Sequence, residues 1–283
     1  MIDCLIDSMT QDVYGHYRVT GTLNERCWRG GLYVGEHISD GTRAAVKVLS
    51  IRYTTDSLER WFAKIPFDHP AFARVLEHGR LYSPSTLKGD GGFVVTELLT
   101  GEDLDARIDR GPLAVPEAIE IARQTARAFV AAHADGIVHG DLKPANIFFV
   151  EQATGLRIKI LDLGIGWLVE ANQTRCGSTS RRFETAAPEQ LINGPFDHRA
   201  DLYALGAVLY HMLTGCQLFY EPGGSFFHQP IAALTREPPD PRDVVPDLPA
   251  RLAELVLQLL AKDPAQRPQS MDEVASVLGQ LTV

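Results

Sequence analysis

Near residue 100 the periodicity of this chain changes, and that change limits its possible folds more than any other feature. Before it, apolar residues recur with a period of two in "YRVT" from Tyr17, "GLYVGEH" from Gly31, "RAAVKVL" from Arg43, "ARVLEHGRLY" and "GFVVTELL". Such alternation predicts strands, and "SDG" between the second and third predicts a hairpin turn. One helix interrupts the strands: Leu58, Trp61, Phe62 and Ile65 fall at helical spacing, and Pro66 ends the run. "SPSTLKGDGG" predicts a loop. After Gly101 the spacing turns helical. "VPEAIEIARQTARAFVAAHADG" has Pro116 near its start, an apolar stripe at Ile119, Ala122, Ala126 and Phe129, and Gly136 as a stop. A short strand, "LRIKILDLG", and a polar loop over 165–186 precede three more predicted helices, in "ADLYALGAVLYHMLTG", "PARLAELVLQLLAKD" and "SMDEVASVLGQL". The fold class is α+β and bilobal: a small antiparallel β-sheet N-lobe with one main helix, then a larger, mostly helical C-lobe. Residues 1–16 read as an N-terminal extension, about 17–98 as the N-lobe, about 97–101 as a hinge and about 102–283 as the C-lobe. A cleft at such a junction is a common ligand site.

The C-lobe contains a puzzle. In "GIVHGDLKPANIFFV" a carboxylate, an ammonium and an amide (Asp141, Lys143, Asn146) crowd against a strand-like run. Polar groups beside buried strand are costly unless they face a cavity and work there. Composition narrows that work. Net charge is −9, with no basic block, so nucleic acid and anionic membrane surfaces are poor partners. The four cysteines (Cys4, Cys27, Cys176, Cys216) have no CxxC spacing, which fits a reducing compartment and offers no obvious zinc site. No signal peptide or membrane-length apolar run is visible, so a soluble cytoplasmic protein is expected.

"HGDLKPANI" followed by "LDLG", with "AVK" upstream and "AAPEQL" downstream, resembles the eukaryotic-type (Hanks-type) protein kinase family, from about Tyr17 to Leu281. "ADLYALGAVLYHMLTG" and "LLAKDPAQRP" resemble its bacterial serine/threonine branch. The resemblance implies a protein kinase domain over 17–283 that uses ATP and Mg2+ to phosphorylate protein substrates, with autophosphorylation an open outcome. The chemistry agrees, because phosphoryl transfer needs positioning and charge neutralisation more than covalent participation. By resemblance Lys47 is the cation on the non-transferred phosphates, Asn146 and Asp162 hold Mg2+, Asp141 orients the acceptor hydroxyl and takes its proton, and Lys143 steadies the γ-phosphate. The hinge backbone at Glu97 and Leu99 would pair with adenine and Asp103 would reach the ribose. Leu32, Ala45 and Phe148 would sandwich the ring, with Thr96 behind it; ordinary core packing also explains that trio. Glu189 and Arg267 resemble the family's buried ion pair, and Asp201 would cap backbone groups of the catalytic loop.

Several positions depart from the family pattern. Aligning "GGLYV" with the family's glycine-rich loop leaves Gly30, beside Gly31, at its last glycine, with Glu25 and Cys27 at the first two. The glutamate partner of Lys47 falls at Arg60 by spacing, but helical phase favours Glu59. Gly140 replaces the arginine that usually receives an activation-segment phosphate, so activity without that phosphorylation is expected. Arg182 stands where the family carries a threonine, for which Thr179 or Thr185 would have to substitute. Two other functions stay open: these departures leave a pseudokinase scaffold that binds nucleotide or a partner protein without turnover, and "HGDLxxxN" also resembles small-molecule phosphotransferases of the aminoglycoside and choline kinase type.

Overall fold

Period-two alternation in the first hundred residues builds an antiparallel sheet. The computed structural model describes residues 12–24, 31–53, 55–81, 90–150, 157–164, 184–224 and 228–281. The chain divides into two compact units, Met1–Thr100 and Gly101–Val283. In the first, β1 (Val13–Tyr14), β2 (Tyr17–Asn24), β3 (Leu32–His37), β4 (Arg43–Tyr53), β5 (Val75–Leu81) and β6 (Asp90–Glu97) form six strands in the order β1-β2-β3-β4-β6-β5. Pairing starts earlier than the periodicity predicts: Val13 and Tyr14 pair with Arg18 and Tyr17, inside the stretch read as an extension. A two-residue strand is too short to show alternation.

The two faces of β4 do different things. Ala44, Val46 and Val48 are buried with Tyr14, Tyr17, Val19, Phe93 and Val95 in one apolar cluster. Ala45, Lys47 and Leu49 must therefore point to the other face. Helix α1 (Thr55–Phe62) covers part of that second face. A side chain at Gly92, which pairs with Leu49, would meet Leu58 and Phe62, and Phe62 stacks on His78 at 4.7 Å. Leu58, Trp61 and Ile65 are buried, as the helical spacing predicts.

The second unit contains a three-stranded sheet and several helices. Strands β7 (Gly101–Asp103), β8 (Ile147–Val150) and β9 (Arg157–Ile160) lie in that order. Gly101 has φ 144°, and a Cβ there would strike the Phe149 carbonyl, so only glycine fits. Helix α2 (Leu104–Ile108) is short, and α3 (Val115–Ala134) is the long amphipathic helix read from its stripe, with Ile119, Ala122, Ala126 and Phe129 all buried. Next come α4 (Pro188–Leu191), α5 (Arg199–Thr214), α6 (His228–Thr235), α7 (Ala250–Leu259) and α8 (Met271–Gly279). Helix α5 is buried on nearly every side, as a helix apolar all round must be. Gly215 ends it in the left-handed conformation of a C-cap. Among the described residues no helix is long and apolar enough to cross a membrane.

Candidate functional site

The stretch His139–Asn146 is held from behind by one buried carboxylate. Asp201, in the first turn of α5, has no solvent exposure. Its Oδ2 accepts from the His139 N–H at 2.9 Å and from His133 Nε2 at 2.9 Å, and its Oδ1 accepts from the Gly140 N–H at 2.8 Å. Three donors offset the desolvation of this charge, and the expected capping role of Asp201 is present. The backbone partners fix the His139 tautomer. Nδ1 accepts from the Asp141 N–H at 3.2 Å, so Nε2 carries the proton and donates to the Leu161 carbonyl at 2.8 Å.

Asp141 is thereby held on several sides. Its carbonyl accepts from Asn146 Nδ2 at 2.8 Å, and its carboxylate pairs with Lys143 Nζ at 2.8 Å, with side-chain exposures of 14% and 22%. The Asn146 amide donates to a carbonyl, so its orientation is assigned, and Oδ1 is its remaining donor atom for a ligand. The β8–β9 hairpin pairs Ile147 with Ile160, and the Leu161 N–H donates to the Asn146 carbonyl at 2.9 Å. The chain segments carrying Asn146 and Asp162 thus leave the same end of one hairpin. Asp162 has φ 59°, a left-handed conformation that non-glycine residues adopt mainly at turns and functional sites. An amide oxygen and a carboxylate are hard donors suited to a divalent cation that completes its shell with phosphate and water oxygens. Among the described residues, no group of three or more His, Cys, Asp or Glu forms an all-protein metal cage.

Gly140 also has a left-handed backbone, at φ 72°. That gives a physical reason for glycine beyond the missing arginine, since a Cβ in this region strains the chain. Its carbonyl accepts from Gln190 Nε2 at 2.9 Å, while Gln190 Oε1 accepts from the Ala187 N–H at 3.0 Å. Sequence reasoning missed Gln190. The one available signal was half of a capping box, Gln at the third position of α4, hidden because Ala187 lacks the hydroxyl that completes it. Next to it, Glu189 forms a two-pronged ion pair with Arg267 at 2.8 Å for each contact, and the Arg267 side chain is 0% exposed. Buried Thr185 lines a small pocket with Gly140, Asp141 and Gln190. Thr179 and Arg182 lie outside the described residues.

In the first unit, Lys47 lies in the middle of β4, which runs on to Tyr53. Lys47 pairs with Leu32 and Val94, and Ala45 pairs with Val34 and Thr96. Directly paired residues share a face, so Leu32, Ala45, Lys47 and Thr96 form one patch. Gly31 leads into β3, with its carbonyl accepting from the Val48 N–H at 2.9 Å. Gly30, Glu25 and Cys27 lie outside the described residues. Glu59 is not turned inward as the helical phase predicts: it is 64% exposed and ion-paired with Arg80 of β5, while Leu58 and Trp61 take the buried positions. Glu97 exchanges bonds with Arg74, its N–H donating to the Arg74 carbonyl at 3.0 Å and its Oε1 accepting from the Arg74 N–H at 2.7 Å. Leu99 follows β6 and is half-buried.

The other two nucleotide candidates belong to the second unit. Asp103 and Phe148 are cross-strand partners in β7 and β8. Asp103 also caps α2, its Oδ1 accepting from the Ala106 N–H at 2.8 Å, and burial raises its carboxyl pKa. Of the cysteines, Cys216 is free and exposed.

A model of the protein kinase domain matches residues 32–277. The chain is 36% identical to the serine/threonine-protein kinase Pkn1 of Myxococcus xanthus over 91% of its own length and 37% of the relative's. It is 32% identical to pkn2 of the same organism, over 96% and 33% of the two chains. It is 35% identical to PknA of Mycobacterium tuberculosis, over 84% and 56%. The chain thus spans between about a third and just over half the length of these relatives. The domain match, with the loop geometry around Asp141, establishes that this chain belongs to the protein kinase family.

Proposed function

We propose that this chain is a serine/threonine protein kinase that transfers the γ-phosphate of Mg-ATP to protein hydroxyl groups. The observation that carries the reading is the Asp141–Lys143 pair, set in a loop whose backbone is bonded to Asp201, His139, Asn146 and Gln190. In this reading Asp141 accepts a hydrogen bond from the substrate hydroxyl and takes its proton as the phosphoryl group transfers. Lys143, already on Asp141, shares its charge with the γ-phosphate. Lys47 neutralises the non-transferred phosphates. Asn146 and Asp162 hold Mg2+, which when bound neutralises charge on the phosphate oxygens. The nucleotide-contact candidates of the first unit are Gly31, Leu32, Ala45, Thr96, Glu97 and Leu99, and those of the second are Asp103 and Phe148. All three relatives above carry serine/threonine kinase in their names, which supports the hydroxyl acceptor class. The reaction consumes ATP, so its compartment would be the cytoplasm; its acceptors would be proteins, and label on the chain itself in the assay below would reveal autophosphorylation.

The test is incubation with γ-labelled Mg-ATP and a generic basic protein, followed by phosphoamino-acid analysis. Label on serine or threonine, absent with Asp141→Ala, is the expected result. Nucleotide binding without any transfer by the wild type would instead leave a scaffold. Gly140 supplies a second expectation: phosphatase-treated protein stays active. Loss of activity after that treatment, regained on autophosphorylation, would refute it.

A further inference from the structure

Both sides of the Gly140 residue are bonded to side chains from the helical part of the second unit. Its N–H donates to Asp201 Oδ1 at 2.8 Å, and its carbonyl accepts from Gln190 Nε2 at 2.9 Å. The orientation of the Gln190 amide is not arbitrary, since one end faces a backbone N–H and the other a backbone carbonyl, and only one assignment satisfies both. The peptide that Gln190 holds is the one linking Gly140 to Asp141. With Gly140 at φ 72°, a position with more rotational freedom than other residues would have, that peptide needs an outside restraint to hold one orientation. The Asp141 N–H points to His139 Nδ1, so rotating this peptide would also break that bond.

We infer that Gln190 is a positioning residue for phosphoryl transfer: its amide clasps the Gly140–Asp141 peptide and thereby aims the Asp141 carboxylate. The inference rests on the proposed role of Asp141. It also ties the catalytic loop to the segment leading into α4, through the Ala187 N–H held by the other end of the same amide. A misaimed carboxylate slows the chemical step and leaves nucleotide binding alone, because misplacement of a reacting group acts on the transition state.

Two variants test this in steady-state phosphorylation of a generic basic protein. Gln190→Glu keeps an oxygen for the Ala187 N–H but turns a second acceptor toward the Gly140 carbonyl. Gln190→Met removes both bonds and adds no charge. Each is expected to lower kcat about tenfold while KM for ATP and the melting temperature stay close to wild type. The Gln190→Glu deficit relative to wild type should shrink as pH falls toward about 5, where the new carboxyl gains a proton and can donate again. A fold-only role would give no such recovery. Wild-type kcat in either folded variant overturns the inference. Asp141→Asn, run in parallel, separates the two claims. If Asp141→Asn retains transfer, both fall; if it is silent beside a full-rate Gln190→Glu, the clasp falls alone.

Discussion

Gly140 and Asp162 are left-handed, but only one of them is glycine. Replacing Gly140 with alanine should lower unfolding free energy by about 1–2 kcal/mol, the usual cost of a Cβ in that region, as read from a urea titration. Lys262 offers a second check. Its Nζ has no hydrogen-bond partner among the described residues and lies 4.5 Å from the Phe219 ring centroid. Burial, the largest cause, lowers its pKa to about 8, with Glu237 opposing and Arg267 assisting. Between that value and the unfolded lysine value of about 10.4 the unfolded chain binds more protons, so this group's contribution to stability rises with pH across the window. Lys262→Met should therefore be more stable than wild type at pH 7, with the gap closing toward pH 10 in paired thermal melts. An advantage constant with pH would contradict the assignment. Asp201 was legible in the sequence because a motif fixed its place. Gln190 was not, because its partner Gly140 is 50 residues away and no local pattern encodes that contact. His133 escaped for the same reason, being a polar residue at a helix end whose acceptor Asp201 is distant in sequence.

Periodicity reached the long helices and strands down to four residues, but it missed α6, an eight-residue helix in the Pro- and Gly-rich stretch, and the shortest elements. α3 and α5 bury the residues their patterns mark, while β1, β7 and α2 span two to five residues, too few to show a period. The orientation of α1 shows a different limit. Phase alone placed Glu59 inward, but Arg80, which faces α1 from β5, offers it a charged partner, and the larger Leu58 and Trp61 side chains take the interior. Between elements, the main brace is Arg267, whose guanidinium also donates to the carbonyls of Ala261, Lys262 and Arg199 and lies 5.1 Å from the Tyr203 ring. Removing one partner leaves an uncompensated buried charge. Arg267→Ala or Glu189→Ala should cost about 3–5 kcal/mol in chemical denaturation. Arg236→Ala, which removes an exposed pair with Glu221, should leave the denaturation midpoint unmoved.

At the scale of the molecule, the change of periodicity near residue 100 coincides with the division into units at Thr100 and Gly101. Each unit carries a coherent share of the candidate chemistry. The first presents Leu32, Ala45, Lys47 and Thr96 on one sheet face. The second gathers Asp141, Lys143 and Asn146 in one loop, with Asp162 entering from the adjacent hairpin end. Sequence order and motif spacing suffice to find these residues, whereas the bonds that hold Asp141 in place need three dimensions. The central claim is that Asp141 acts in transfer and not in nucleotide binding. Asp141→Asn, assayed at saturating Mg-ATP with ATP affinity measured on the same sample, tests it most directly. The predicted result is near wild-type affinity with transfer reduced by about two to four powers of ten. Transfer at the wild-type rate by that variant would contradict the account.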